Sequence, residues 1–270
     1  MADKFIRIAE FKRNKSYLSS FVYTSTRNKF SGRKIYSLIF KLNNALNEFF
    51  SFFFIMSVEP SIFLFQLMLR KQGGLNGAYQ WVRLKEIRKI VKSLDNPEVI
   101  EFGGAGASTI MFAKYSNVIS LEEDFEWLNK FKETLYIYRF LNKKLVASAI
   151  ASLNLVSREE KIDKNGEKIC SYQTSPIYTS KKFNIAYIDG PTSWIQEEDL
   201  NGYLRDPYGT LPNTTVLELL EKPDLIICDG RRSTISYLLD SNQFDHMFIA
   251  LKGAYYIRPK VNPYHTFIKH

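Results

Sequence analysis

Four short apolar runs, "PEVIE", "NVISLE", "FNIAYID" and "PDLIICD", each end on an acid: Glu101, Glu122, Asp189 and Asp229. Helical periodicity fills the chain between them. Trp81, Leu84, Ile87, Val91 and Leu94 mark one helix face, Ser108 to Tyr115 reads as a second helix, and Trp127, Phe131, Leu135 and Tyr138 mark a third. A fourth is expected over Ser233 to Leu239. Strands that alternate with helices build a mostly parallel sheet covered on both faces. Ligands of such sheets bind beyond the carboxyl ends of the strands, where these acids fall.

The fold class read from this pattern is α/β: a Rossmann-like, doubly wound, mostly parallel sheet with a C-terminal antiparallel hairpin and an N-terminal helical extension. "FDHMFIA" and "AYYIRP" are the expected hairpin strands. Between Lys143 and Lys182 the pattern is weak; one strand is expected near Leu145 to Ile150, with "EEKIDKNGEK" as a polar turn after it. The linker candidate is "KQGGLNG", which divides residues 1–77, the extension, from residues 78–270, the sheet domain.

Charge separates the same two parts. The net charge is +9, and Met1 to Lys41 carries ten Lys and Arg residues against Asp3 and Glu10, so the surplus of eight belongs to an N-terminal arm. Behind the arm, Leu38, Leu42, Ala45, Leu46, Phe49, Phe50 and Phe53 recur at helical spacing. The apolar stretch from Phe49 to Met68 is interrupted at Glu59-Pro60, and neither half reaches the roughly 20 apolar residues of a spanning helix. Two readings follow. The helices are a layer packed on the sheet domain, or they lie on an anionic membrane surface through residues 1–70. Nucleic acid is the less favoured partner, because no recognition module surrounds the basic residues. Cys170 and Cys228 form neither a disulfide framework nor a zinc site, which places the chain in the cytoplasm, peripheral to the inner membrane face on the second reading. His246, His265 and His270 are dispersed and complete no catalytic triad.

The first strand runs into "VIEFGGAGASTI". A strand, a glycine turn and a helix start surround a ligand with backbone N–H groups. For a dinucleotide the spacing is G-x-G-x-x-G; Gly104 and Gly106 meet its first two positions, but Thr109 stands at the third.

The ordered set "VIEFGGAGAST", "VISLEEDFEWL", "FNIAYIDGP" and "PDLIICDGRRS", with the terminal hairpin, resembles the class I S-adenosylmethionine-dependent methyltransferases, in the branch with an acid-x-Gly first motif followed by Ser-Thr. The resemblance covers about Trp81 to Pro259. It implies S-adenosylmethionine as cofactor, with Glu101 ordering the loop at the methionine end, Gly103, Gly104, Gly106 and Ser108 lining it, and Glu122 accepting both ribose hydroxyls. Glu123 and Asp124 compete with Glu122 for that last role. Asp189 is the candidate catalytic base, and Asp189 with Asp229 a candidate divalent metal (Mg) pair, although Gly230 stands where metal-dependent members carry a further Asp or Asn. Ala105 and Ala107 occupy positions where the family pattern has glycine, and Ala105 is expected to narrow the space above the loop. Arg205, Tyr208 and Arg231 are candidate contacts to an acidic acceptor. The implied activity is methyl transfer, here expected on oxygen, and the basic arm with the apolar helix behind it favours a glycan or lipid-linked saccharide as acceptor. The alternatives are an NAD-type or sugar-nucleotide enzyme using the same loop, and a non-catalytic membrane- or partner-binding module on a methyltransferase fold.

Overall fold

The computed structural model describes residues 32–71, 80–139, 142–190, 211–229, 234, 237–238, 246–248 and 264–268. Helices α1 (Gly32–Val58) and α2 (Pro60–Lys71) precede α3 (Gln80–Lys92). The sheet domain then runs β1 (Glu98–Phe102), α4 (Ala107–Tyr115), β2 (Asn117–Glu122), α5 (Phe125–Tyr138), α6 (Lys143–Ser152) and β3 (Leu153–Leu155). A hairpin of β4 (Arg158–Ile162) and β5 (Lys168–Tyr172) follows, then the short α7 (Pro176–Thr179), β6 (Ile185–Ile188), a 3-10 turn at Thr215–Glu218, β7 (Leu225–Asp229), β8 (His246–Phe248) and β9 (Tyr264–Ile268).

The large sheet has the order β3-β2-β1-β6-β7-β9-β8. Its first five strands are parallel, and β9 enters antiparallel between β7 and β8. This is a Rossmann-like doubly wound sheet closed at one edge by a C-terminal hairpin, as expected. The order reverses direction between β1 and β6, so the crevice of the switch point opens at the carboxyl ends of those two strands.

Strand alternation sorts the core into two layers. Val99, Ile185, Tyr187, Leu225 and Ile227 pack under α1 to α6, whereas Ile100, Phe102, Leu121, Ala186, Ile188, Ile226 and Cys228 face the opposite layer with Tyr172, Phe183 and Val216. Both cysteines are buried, and they form no disulfide.

One expected strand and one expected turn are corrected. Lys143 to Ser152 is helix, because Asn142 caps it by accepting the Leu145 N–H, and Leu145, Val146 and Ala149 bury one face. The strand falls just after it, as β3. The "EEKIDKNGEK" segment is the exposed strand β4 plus a turn in which Asp163 accepts the Asn165 and Glu167 N–H groups. In the C-terminal hairpin β8 pairs "YHTFI"; "AYYIRP" (residues 254–259), the linker at 72–79 and most of the helix expected at 233–239 lie outside the described residues.

Glu59-Pro60 divides the extension as expected. Pro60 takes the first position of α2, where a missing N–H costs nothing, and the two helices bend by 120°. Ile55, Ile62, Phe65 and Leu69 enter the same core as Ile110, Phe131, Leu135 and Tyr138. Phe65 meets the Phe131 and Tyr138 rings edge-on at 5.3 and 5.6 Å. The inner sides of α1 and α2 are therefore a layer of the sheet domain.

Candidate active site

The loop after β1 is built by hydrogen bonds that converge on one buried carboxylate. Glu101 projects from the sheet face that carries α4 and is inaccessible to solvent. Its Oε2 accepts the Thr109 and Ser120 hydroxyls, each at 2.7 Å, and the Thr109 oxygen in turn accepts the Gly106 N–H at 3.1 Å. Strand, loop and helix start are tied together by that chain. The other oxygen, Oε1, is buried and makes no hydrogen bond. Burial pushes the Glu101 carboxyl up to about 7, against the Ser108, Thr109 and Ser120 hydroxyls, and the nearby negative charge of Asp189 adds to the rise.

The glycines serve separate purposes. Gly103 has φ +78°, and a Cβ there would stand 2.3 Å from the Gly190 nitrogen. A Cβ on Gly104 would stand 1.7 Å from the Ser120 Oγ. Both are required by close packing inside the loop. At Gly106 a Cβ would meet nothing nearer than the Ser108 Oγ, at 3.5 Å, so this glycine leaves its side of the loop uncrowded. The Gly103 and Gly104 N–H groups bond the Leu121 carbonyl, and those of Asp189 and Gly190 bond the Phe102 carbonyl. The loop is thus stitched to both neighbouring strand ends.

Ala105, expected to stand above the loop, has its side chain in the core instead, as does Ala107. Both are buried in the layer of helices and sheet behind the loop. Ala105 takes the left-handed conformation, φ +61°, that a glycine would adopt freely.

Glu122 ends β2 beside Gly103. Its Oε1 accepts the Glu123 and Asp124 N–H groups at 2.8 and 2.9 Å, while Oε2 makes no hydrogen bond among the described residues. Burial raises this carboxyl to about 8, opposed by those two N–H groups and reinforced by the charges of Glu123 and Asp124. The competing acids have other work. Asp124 caps α5 through the Trp127 N–H, and Glu123 lies 3.5 Å from Arg158. Asp189 stands at the end of β6, half-buried, on the other side of Gly103 from Glu122.

Asp229 faces α3: it accepts the Tyr187 hydroxyl at 2.8 Å and pairs with Arg83 in the first turn of that helix. Among the described residues no group of three His, Cys, Asp or Glu side chains could hold a metal ion. Asp229 thus acts as a latch between β7, Tyr187 and α3, and nothing among the described residues supports the Asp189–Asp229 metal pair. Arg205, Tyr208 and Arg231 lie outside the described residues.

Sequence reasoning passes over Asn213. It is buried next to the site, where its Nδ2 donates to the Gly190 carbonyl and its Oδ1 accepts the Thr215 N–H and hydroxyl. This network, joined by the Thr234 hydroxyl accepting the Asn213 N–H, fixes the turn after Asp189. Nothing in "LPNTT" signals it, because the contact spans 23 residues. Ser120 could have been found: a polar residue in an apolar strand, two before Glu122, shares that acid's side of the strand.

No family model matches the chain, and no curated protein does. Solved structures of similar shape include the O-methyltransferase TomG of Streptomyces achromogenes, in complex with S-adenosylmethionine, at 10% identity and a TM-score of 0.45, covering 80% of this chain and 94% of that one. An O-methyltransferase of Bacillus cereus in complex with S-adenosylhomocysteine matches at 12% identity and 0.44, over 80% and 96%. A methyltransferase of Geobacter sulfurreducens matches at 11% and 0.41, over 79% and 91%. Likenesses this distant assign no activity; the fold class stands on the strand order, and the chemistry stands on the carboxylates around the glycine loop.

Proposed function

We propose that the chain is an S-adenosylmethionine-dependent methyltransferase acting on oxygen, with a glycan or lipid-linked saccharide as acceptor. One observation carries the cofactor reading: Glu101 and Glu122 flank a bare glycine loop, and each keeps one carboxylate oxygen uncommitted. Glu122 Oε2 suits a pair of ribose hydroxyls, since an ionised carboxylate accepts two O–H donors at once. Glu101 Oε1 suits a cationic amine, and the start of α4 suits a carboxylate through its N–H groups and dipole. Those three demands describe the ends of an amino-acid nucleoside. A dinucleotide would need the third glycine, and Thr109 instead holds Glu101.

When bound, S-adenosylmethionine supplies a methyl group on a sulfonium centre. Asp189 would take the proton of an acceptor hydroxyl placed against that methyl group. Asn213 keeps the Asp189-Gly190 turn in place, and the rigid strand ends align the reactants. No step needs a metal. Arg205, Tyr208 and Arg231 remain proposed acceptor contacts from the sequence, and the saccharide reading rests on the basic arm and the apolar helix behind it.

Methyl transfer from labelled cofactor to cell-envelope extracts tests this reading. Asp189→Asn lowers the turnover on the order of a hundredfold or more while cofactor affinity holds. Full turnover in that variant would remove Asp189 from the mechanism.

A further inference from the structure

The apolar stripe of α1 that is conspicuous in the sequence does not face the core. Leu42, Leu46, Phe49, Phe50, Phe53 and Met56 are 37% to 61% exposed. At 100° per residue they occupy an arc of about 120°. The opposite side, with Glu48, Ser51 and Ile55, is the one that packs: Ser51 and Ile55 are buried, and the Glu48 carboxylate caps α3 by accepting the Trp81 and Val82 N–H groups at 3.0 and 3.1 Å. Outward phenylalanines lie against one another, with Phe49 and Phe53 centroids 4.7 Å apart. Leu64 of α2 extends the apolar surface past the bend. A soluble helix normally turns its apolar arc inward, and a continuous exposed patch marks a contact surface.

Charge selects the occupant. Residues 1–41, the chain leading into this helix together with its first ten residues, carry ten basic and two acidic residues, a surplus of eight, whereas the remaining chain contributes a net charge of only +1. A basic segment joined to an amphipathic helix with aromatic and aliphatic side chains on one face matches a bilayer surface with anionic headgroups. Crossing the bilayer is a poorer match. No single helix among the described residues is long and apolar enough, and in the bent pair α1–α2 the residues Ile55, Ile62 and Phe65 are sealed against protein. Glu59, at the bend, is buried and held by Arg88, Lys114 and Tyr115.

We propose that the outer face of α1 is a membrane-docking surface that lies in the interface of an anionic bilayer, with the phenylalanines among the acyl chains and the basic arm on the headgroups. α1 is tied rigidly to the sheet domain, since Glu48 caps α3 and Glu59 holds α3 and α4 together. The inference is independent of the methyl-transfer reading.

Co-sedimentation of the full chain with vesicles tests it, using phosphatidylcholine alone and phosphatidylcholine with phosphatidylglycerol, at low and high salt. The wild type binds the anionic vesicles at low salt, binds them less at high salt, and binds neutral vesicles weakly. Phe49→Ser, Phe50→Ser and Phe53→Ser together lower the anionic partition about a hundredfold. Those side chains are exposed, so the thermal midpoint holds; if it falls, the second variant decides. That variant, Lys12→Gln, Arg13→Gln and Lys15→Gln, lowers anionic partition and removes part of its salt dependence. Absence of vesicle binding at low salt would overturn the proposal. So would a gain in binding by the arm variant, which would mean that the arm itself covers the stripe. A wild type that sediments as a dimer and a triple phenylalanine variant that sediments as a monomer would assign the face to a second copy of the chain instead.

Discussion

At Gly103 the backbone sits at φ +78° with no room for a Cβ beside the Gly190 nitrogen, so one added methyl must displace the turn that carries Asp189. Gly103→Ala should cost roughly 3 kcal/mol, from backbone strain and overpacking together; denaturant midpoints measure it. Ala105→Gly should change stability by less than about 1 kcal/mol, because relief at φ +61° offsets the lost buried methyl. The carboxylates give a pH signature. Glu101 and Glu122 are raised to about 7 and about 8, so the empty protein holds their protons more tightly than the unfolded chain does, and its stability falls as pH rises from the ordinary carboxylate range through 8. A ligand that hydrogen-bonds to ionised Glu122 must displace that proton. S-adenosylhomocysteine affinity should therefore climb with pH by up to about tenfold per unit below 8 and then level off. Glu122→Gln should weaken binding at pH 8 and flatten that slope; calorimetry across pH checks both.

Elements were legible where one periodicity dominated. The four strands ending in Glu101, Glu122, Asp189 and Asp229 and the helices between them form close to their expected positions, because the strands are apolar runs, buried on both faces in β1, β6 and β7, and the helices repeat their apolar positions at helical spacing. Lys143 to Ser152 misled because "KLVASAIAS" mixes β-branched residues with alanine, and the Asn142 cap decides it. The role of Asp229 was hidden for another reason: its partner, Arg83, lies on a helix formed far earlier in the chain. The α1–α2 bend was visible at Pro60, but what its buried acid does was not. Glu59 is clamped by Arg88, Lys114 and Tyr115 from two helices, and their donors hold its carboxyl below the ordinary value despite its burial. Its contribution to stability is present above about pH 4.5 and is lost as pH falls through the folded value. Glu59→Gln should destabilise by roughly 3 kcal/mol by leaving cations without their partner. Urea titration at pH 7 and pH 4 should show the variant's deficit shrinking in acid.

The whole molecule joins an amphipathic extension to a sheet domain through one continuous core, and the composition break at residue 77 does not coincide with a break in packing. Ile55, Ile62, Phe65 and Leu69 cover side chains of α4 and α5 that a fragment of residues 78–270 would expose. That fragment should therefore show a lower thermal midpoint and bind hydrophobic dye; a midpoint equal to the full chain's would make the extension an accessory. The same arrangement gives α1 two faces with different tasks, one closing the core and one available to lipid.

The cofactor reading is tested most directly by titrating S-adenosylhomocysteine and NAD separately into the full chain in a calorimeter at pH 8, for the wild type and for Glu122→Ala. The account predicts saturable binding of S-adenosylhomocysteine, no binding of NAD, and a loss on the order of a hundredfold in the variant as the ribose hydroxyls lose their acceptor. Saturable binding of NAD alone, or S-adenosylhomocysteine binding undiminished in Glu122→Ala, would contradict it.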